Sequence, residues 1–271
     1  MSNRAEKRRA SRAGHGGGGS SSRSNTFRWV LIGVGVFAAG IVIWNVAFST
    51  GGQGARGPVS LDNVGPQELI QLAQGVERGS SDAPITLMDF SDYSCPSCAA
   101  FANQSKPYLE MNYVDPGLVR FVYYDFPLMG MFQHSFLAAR AARCAGDQGG
   151  YWEFHDRLFQ RQGEWSRQSD PFSSFVGYAA DLGLDRGDFR SCLGSDRHAD
   201  VVTANMQLGQ QLGVSGTPTL FLNTGEGRAV RVESWSPTQL GAQINAALER
   251  VGYGEEAEDV PEPDADEGGM E

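Results

Sequence analysis

The chain has 271 residues, of which 41% are hydrophobic, so it is long enough for one large globular domain or two small ones. Its formal net charge is −10, yet residues 1–28 hold seven basic side chains against one acidic side chain. The remainder therefore carries a formal charge of −16, which argues against nucleic-acid binding.

The first predicted segment is the basic N-terminus, residues 1–28, whose Gly- and Ser-rich part should be flexible. Residues 29–48 follow with no ionisable group in 20 positions, enough for a helix to cross a hydrocarbon core of about 30 Å. A cleaved signal peptide is the alternative, but its apolar region is usually about 7–15 residues long. We favour a single-pass anchor in the cell membrane, with the N-terminus cytoplasmic and the chain after residue 50 extracytoplasmic.

The ends of the folded domain are predicted from composition. Residues 49–59 are predicted to be a flexible linker, because they are rich in glycine. Residues 253–271 hold nine acidic side chains and no basic one, which predicts a solvated, disordered tail. The folded domain is therefore expected at about residues 60–252.

Short runs of apolar and β-branched residues predict the strands of this domain. They are residues 83–90, 118–126, 219–223 and 228–233. A helix over 96–114, bent at Pro107, joins the first two strands and implies that they pair in parallel. A helical block should follow from about 134 to 212, and a last helix should begin near Pro237.

Four cysteines lie beyond the predicted anchor, in a compartment where disulfides persist, and their even number suits pairing. Cys95 and Cys98 form a C-x-x-C motif at the start of the predicted helix. A zinc site would need further ligands at suitable spacing, and the histidines are scattered. A structural disulfide within one helical turn would constrain almost nothing. A redox-active pair is therefore the favoured interpretation.

The position of the motif predicts different roles for its two thiols. A helix N-terminus offers unpaired N–H groups and a partial positive charge, so Cys95 should ionise easily and react first. Pro96 suits the first turn because its missing N–H is not needed there. Cys98, one turn deeper, should resolve the mixed disulfide that Cys95 forms with a substrate.

The chain resembles the DsbA-like thiol:disulfide oxidoreductases of the thioredoxin superfamily over roughly residues 76–250. Four stretches carry the resemblance: MDFSDYSCPSC, FVYYDFPL, AARCAGDQGGYWEFHDRLF and SGTPTLFLN. It implies an α/β thioredoxin fold with a helical subdomain inserted at about 130–212, which would follow the N-terminal transmembrane helix predicted above. It also implies a cis bond before Pro218, with Pro218 beside the cysteine pair and Thr217 in contact with the substrate.

Four further residues complete the predicted set. Asp89 lies six residues before Cys95, where the resemblance implies a buried acid that exchanges a proton with Cys98; a solvated residue at the strand edge is the alternative. Cys144 and Cys192 are interpreted as a structural disulfide that closes a 48-residue loop, with a second redox pair as the alternative. Asp92 is interpreted as a turn or capping residue.

The predicted function is an extracytoplasmic enzyme that introduces disulfides into exported proteins, with no cofactor and no metal. Its partners would be reduced or unfolded exported proteins, and a membrane quinone-linked thiol oxidase would reoxidise it. A reductase or isomerase is the alternative enzyme, because Pro96 and Ser97 differ from the Pro-His of the best-known oxidants and from the Gly-Pro of thioredoxins. A membrane-tethered binding protein whose cysteines are incidental is the third hypothesis.

Overall fold

A computed structural model describes residues 54–253, except residues 226 and 228. The predicted basic N-terminus, the predicted anchor at 29–48 and the acidic tail beyond residue 253 lie outside the described residues. Within the part that is described, no helix has both the length and the hydrophobicity that a bilayer crossing requires.

The element order follows the predicted division into two strand-containing halves around a helical block. The strands are β1 (Val76–Arg78), β2 (Ile85–Ser91), β3 (Val119–Asp125), β4 (Thr219–Asn223) and β5 (Val230–Arg231). The helices are α1 (Pro66–Leu72), α2 (Pro96–Ala100), α3 (Lys106–Leu109), α4 (Ser135–Gly146), α5 (Tyr151–Gln160), α6 (Gln162–Trp165), α7 (Phe172–Asp181), α8 (Arg186–Gly194), α9 (Ala199–Gln211) and α10 (Pro237–Arg250). Helices α4 to α9 form the helical subdomain.

The strands form one sheet in the order β1-β3-β2-β4-β5. Strands β2 and β3 are parallel, as predicted, with Ile85 opposite Val119 and Ser91 opposite Asp125. The other neighbours pair antiparallel. Because β2 lies at the centre, with strands on both sides, it is a rigid support for the residues that follow Ser91.

Two strands differ from the prediction. The three-residue strand β1 was not predicted, because so short a run carries no recognisable alternation. The prediction of a strand over 228–233 is wrong in extent, since among the described residues the strand covers Val230–Arg231, with one further hydrogen bond from the Val232 amide to the Leu220 carbonyl at 2.9 Å. Strand β5 lies at the edge of the sheet with a neighbour on one side only, so little holds a longer ladder in place.

The helix that follows Cys95 changes its winding around Pro107. After α2 it passes through a π-helical turn at Phe101–Ser105, then α3, then a second π-helical turn at Glu110–Val114. Proline has no N–H and crowds the carbonyl four residues earlier, so a regular α-helical ladder cannot continue through it. The wider turns shift the hydrogen-bond partners on either side of it. The predicted helix over 96–114 is thus present, with its irregularity at the predicted residue.

The helical subdomain packs on the sheet through α4, which is buried from Ser135 to Ala145. Arg143 of α4 donates to Asp125 at the end of β3, at 2.6 Å, and both side chains are buried. A disulfide joins Cys144 of α4 to Cys192 of α8. These links tie the subdomain to the sheet and close it on itself.

Residues 54–59, which we name the N-terminal strap, lie against the helical subdomain. The prediction of a flexible linker over 49–59 is therefore wrong for this part. The Ala55 amide donates to the Asp196 carboxylate at 2.8 Å, and the Ala55 carbonyl accepts from Arg140 at 2.6 Å. Arg140 is fully buried, and a buried guanidinium needs acceptors for its N–H groups. That requirement explains why a glycine-rich stretch folds onto the domain.

Candidate active site

Cys95 lies at the N-terminus of α2, immediately before Pro96 in the first helical turn. The short turn that delivers it from β2 is closed by a hydrogen bond from the Cys95 amide to the Asp92 carbonyl at 3.0 Å. Pro96 and Ser97 are exposed, so the end of the helix faces solvent. Cys95 keeps 7% of its surface exposed against 1% for Cys98. An incoming substrate thiol can therefore reach Cys95 and not Cys98.

The two thiols have opposite pKa shifts. The pKa of Cys95 is lowered from 9.0 to about 5, first by a hydrogen bond from the Cys98 thiol and then by Thr217 and the backbone N–H groups of Cys98 and Ser97. Burial raises the pKa of Cys98 well above its ordinary value, and its hydrogen bond to Cys95 raises it further. At neutral pH the reduced pair is therefore a thiolate at Cys95 beside a protonated thiol at Cys98.

Asp89 lies behind the pair in β2, with 2% of its surface exposed, so it is not a solvated residue at the strand edge. The Ser91 hydroxyl donates to its carboxylate at 2.5 Å. Burial raises the pKa of Asp89 to about 7, while the Ser91 hydrogen bond and the charge of Lys106 lower it. The negative charge of Asp89 in turn raises the pKa of Cys98. Asp89 is thus a carboxyl group that can gain or lose a proton close to Cys98 near neutral pH.

The loop before β4 lies across from the cysteine pair. The Thr217–Pro218 peptide bond is cis, and the Cys95 sulfur lies 3.4 Å from the Thr217 carbonyl oxygen, to which the thiol donates when it is protonated. The pairing of β4 with β2 carries this loop to the redox pair, since Thr219 lies opposite Phe90. The structure thus brings together four of the predicted site residues: Asp89, Cys95, Cys98 and Thr217. Cys144 and Cys192 lie elsewhere, in the helical subdomain.

Asp92 connects the catalytic turn to the rest of the domain. Its buried carboxylate accepts from the amide of Ser94 at 2.7 Å, from the amide of Leu128 at 2.7 Å and from the hydroxyl of Ser135 at 2.8 Å. Burial raises the pKa of Asp92 to about 6, against the lowering effect of these donors. The interpretation as a turn residue understates its role, because one side chain joins the catalytic turn, the loop after β3 and the start of α4.

Two neighbours of the site, Lys106 and Gln162, were not predicted from the sequence. Lys106 is 2% exposed, lies 2.7 Å from Glu110 and 3.0 Å from Asp156, and its charge lowers the pKa of Asp89. Gln162 donates to backbone carbonyls of the catalytic turn. The spacing of Lys106 and Glu110 on one helix was an available signal, whereas nothing in the sequence marks Gln162.

The three histidines of the described residues, His134, His155 and His198, do not form a metal site among themselves. His155 is buried, and its Nδ1 shares a hydrogen bond with the Tyr93 hydroxyl at 2.9 Å. Burial lowers the pKa of His155 well below its ordinary value. It is a neutral packing residue. The side-chain ligand atoms of Cys144, Cys192 and His198 lie within 4.8 Å of one another. Because these cysteines are joined in a disulfide, neither offers the thiolate that a metal ion would bind.

Comparison with known proteins places this geometry in a family. The family model described as Thioredoxin matches residues 72–245, more than half of the chain. The Na(+)/H(+) antiporter NhaA 1 of Salinispora arenicola is 37% identical over 146 residues, 54% of this chain and 21% of the antiporter. Disulfide bond formation protein D of Bacillus subtilis is 29% identical over 154 residues, which are 54% of this chain and 66% of that protein. The chain thus spans about a fifth of the first relative and about two thirds of the second.

The fold is shared with a solved structure, that of oxidised BdbD from Bacillus subtilis. The TM-score is 0.58 at 22% identity, over 73% of this chain and 99% of that chain. The likeness confirms the predicted α/β thioredoxin fold with an inserted helical subdomain. The chain therefore belongs to the thioredoxin family.

Proposed function

We propose that the protein is an extracytoplasmic thiol:disulfide oxidoreductase that introduces disulfides into exported proteins. The observation that carries this proposal is the pair of opposite pKa shifts at Cys95 and Cys98. At neutral pH, a pKa of about 5 in place of 9.0 stabilises the reduced pair about 100-fold, roughly 60 mV in a two-electron reduction potential. A stabilised reduced form makes the oxidised form a stronger acceptor of electrons, and a relative named disulfide bond formation protein D is consistent with this direction.

Substrate oxidation would begin with the Cys95–Cys98 disulfide. A substrate thiolate attacks the Cys95 sulfur, the Cys95–Cys98 bond breaks, and the Cys98 thiolate takes a proton from Asp89. The second substrate thiolate then attacks the substrate sulfur that is bonded to Cys95. The substrate disulfide forms, and Cys95 leaves as a thiolate. Two electrons have moved from the substrate to the pair, whose reduced form the structure represents.

Substrate binding would use the loop at Thr217 and Pro218. The Thr217 carbonyl lies within hydrogen-bond distance of the Cys95 sulfur, so an extended peptide that pairs with this loop would bring its own cysteine to Cys95. Main-chain pairing does not depend on side chains, which suits an enzyme that acts on many unfolded exported proteins.

Reoxidation would follow the reverse sequence with a membrane quinone-linked thiol oxidase. The Cys95 thiolate attacks the disulfide of the oxidase and forms a mixed disulfide, and Asp89 takes the proton of Cys98. The Cys98 thiolate then attacks the Cys95 sulfur, which re-forms the Cys95–Cys98 disulfide and releases the reduced oxidase. The apolar segment at 29–48 supports a membrane location for this exchange. The Cys144–Cys192 disulfide supports an oxidising compartment, in which it serves as a structural crosslink.

Two measurements test the proposal: the reduction potential of the Cys95–Cys98 pair in glutathione buffers, and the oxidation of a reduced, unfolded protein. A potential near −120 mV, about that of DsbA, would support the proposal, whereas one near −270 mV, about that of thioredoxin, would overturn it and indicate a reductase. Cys95→Ser should abolish turnover. Full activity of that variant on unfolded proteins would instead identify a binding protein with incidental cysteines.

A further inference from the structure

We propose that Gln162 is a positioning residue for the redox pair, through which the helical subdomain sets the geometry of the catalytic turn. The proposal rests on the function proposed above. Gln162 is the first residue of α6, and its side-chain amide donates to the carbonyl of Tyr93 at 2.7 Å and to the carbonyl of Cys95 at 2.9 Å. Both hydrogens of the amide nitrogen are therefore engaged by the backbone that carries the reactive thiol.

The Cys95 carbonyl is the point at which this contact acts. It also accepts the amide of Ala99 at 3.1 Å, so two donors from different parts of the fold orient the peptide plane between Cys95 and Pro96. That plane begins the helical turn whose N–H groups, at Ser97 and Cys98, stabilise the Cys95 thiolate. Without these two hydrogen bonds the Cys95 carbonyl could rotate, and the Cys95 sulfur could then move away from the N–H groups of Ser97 and Cys98.

The other end of the contact is rigid. Trp165, in the same short helix, is fully buried, donates from its indole N–H to the Leu158 carbonyl at 2.8 Å, and packs against Phe175 with ring centroids 5.2 Å apart. Gln162 therefore extends from an anchored element. Asp92 holds the beginning of the catalytic turn, and Gln162 holds its end.

Glutamine suits this role for a chemical reason. Two carbonyl oxygens need a group that donates twice and accepts nothing from them, which a terminal amide nitrogen does. A glutamate of the same shape would place an anionic oxygen against both carbonyls and add a negative charge near the Cys95 thiolate. A methionine would keep the length of the side chain and remove both donors.

The test compares Gln162→Met and Gln162→Glu with the wild type and with the control Gln160→Met, which changes an exposed glutamine two residues away. The thiolate of Cys95 is titrated by its absorbance at 240 nm in the reduced full-length protein, and thermal unfolding is recorded for each variant. We expect Gln162→Met to raise the midpoint by about one pKa unit, which lowers the thiolate fraction at pH 5 roughly fivefold. Gln162→Glu should raise it more, and Gln160→Met should leave it unchanged.

A midpoint in Gln162→Met and Gln162→Glu equal to that of the wild type would overturn the proposal, whether or not the variants are less stable, because a purely structural role does not move the Cys95 titration. If Gln162→Met fails to fold, Gln162→Leu gives the same readout, since it also removes both donors and adds no charge. The outcome is separable from that of the proposed function, which depends on the reduction potential and turnover of the wild type. A wild type that failed as an oxidase could still show the predicted change in titration.

Discussion

Replacement of Asp89 by asparagine separates the stability of the fold from the chemistry of the site. Asp89 is buried in the central strand, and burial is the main cause of its raised pKa. Asp89→Asn preserves the shape of the side chain and an oxygen that can accept from Ser91. It removes the ionisable group, and with it both the cost of a buried charge and the proton that Cys98 would exchange.

The size of the stability effect follows from the pKa. The carboxyl group has a pKa of about 7 in the folded protein against an ordinary value of 3.8, so the folded state binds the proton more tightly than the unfolded state. Above pH 7 the buried charge therefore destabilises the fold, and this penalty disappears as the pH falls from 7 towards 4. Three pKa units at about 1.4 kcal/mol each set an upper limit of roughly 4 kcal/mol at pH 8.

Urea unfolding of the reduced protein at pH 8 and pH 4 measures this effect. Asp89→Asn should be more stable than the wild type at pH 8, by about 2–4 kcal/mol, and equal to it or less stable at pH 4. Its oxidase turnover at pH 7 should fall about 100-fold, the lower range for loss of a general acid–base group. Asp115→Asn, at an exposed position, is the control. Equal stability of Asp89→Asn and the wild type at pH 8 would refute the reasoning.

Three other outcomes are expected. Alkylation of Cys95 by iodoacetamide should increase through a midpoint near pH 5, because its pKa is about 5; a midpoint near the ordinary 9.0 would contradict the thiolate assignment. Lys106→Met should move the inflection that Asp89 contributes to the pH–rate profile above 7, since the charge of Lys106 lowers the pKa of Asp89; an unmoved inflection would count against this coupling. Removal of the Cys144–Cys192 disulfide by paired serine substitutions should lower the free energy of unfolding by up to about 4 kcal/mol, because the crosslink closes a 48-residue loop, and should leave the potential of the redox pair unchanged; a large change in that potential would indicate a second redox role.

The parts of the fold that could be predicted from the sequence are those with a local signal. The run ITLMDFS forms β2, and the C-x-x-C motif with Pro96 marks the start of the next helix within a few residues. Pro107 disturbs its own helix, because a missing N–H acts on the same turn. Each of these signals depends on residues that are close in the chain, so the pattern and its structural effect coincide.

The parts that could not be predicted depend on contacts between distant residues. Gln162 contacts the carbonyl of a residue 67 positions away, and Lys106 pairs with a residue 50 positions away. A single glutamine or lysine gives no periodicity, and its burial depends on how the helical subdomain packs on the sheet. The N-terminal strap has the composition of a linker. Its structure depends on Arg140, which lies 85 positions from Ala55. The sequence does not show that the guanidinium of Arg140 is buried and needs hydrogen-bond acceptors.

The N-terminal strap decides where the domain can be cut for recombinant expression. A chain that begins at residue 60 keeps every strand and helix described above but takes away the Ala55 carbonyl that accepts from the buried Arg140. The cut would thus leave a buried guanidinium of the helical subdomain without one of its acceptors, although it removes no residue of the subdomain itself. Such a chain should begin at or before Gly54 and keep glycine there, since a Cβ at this position would lie 1.8 Å from the Ser195 carbonyl oxygen. The working boundary of the domain is set by the acceptors of one arginine.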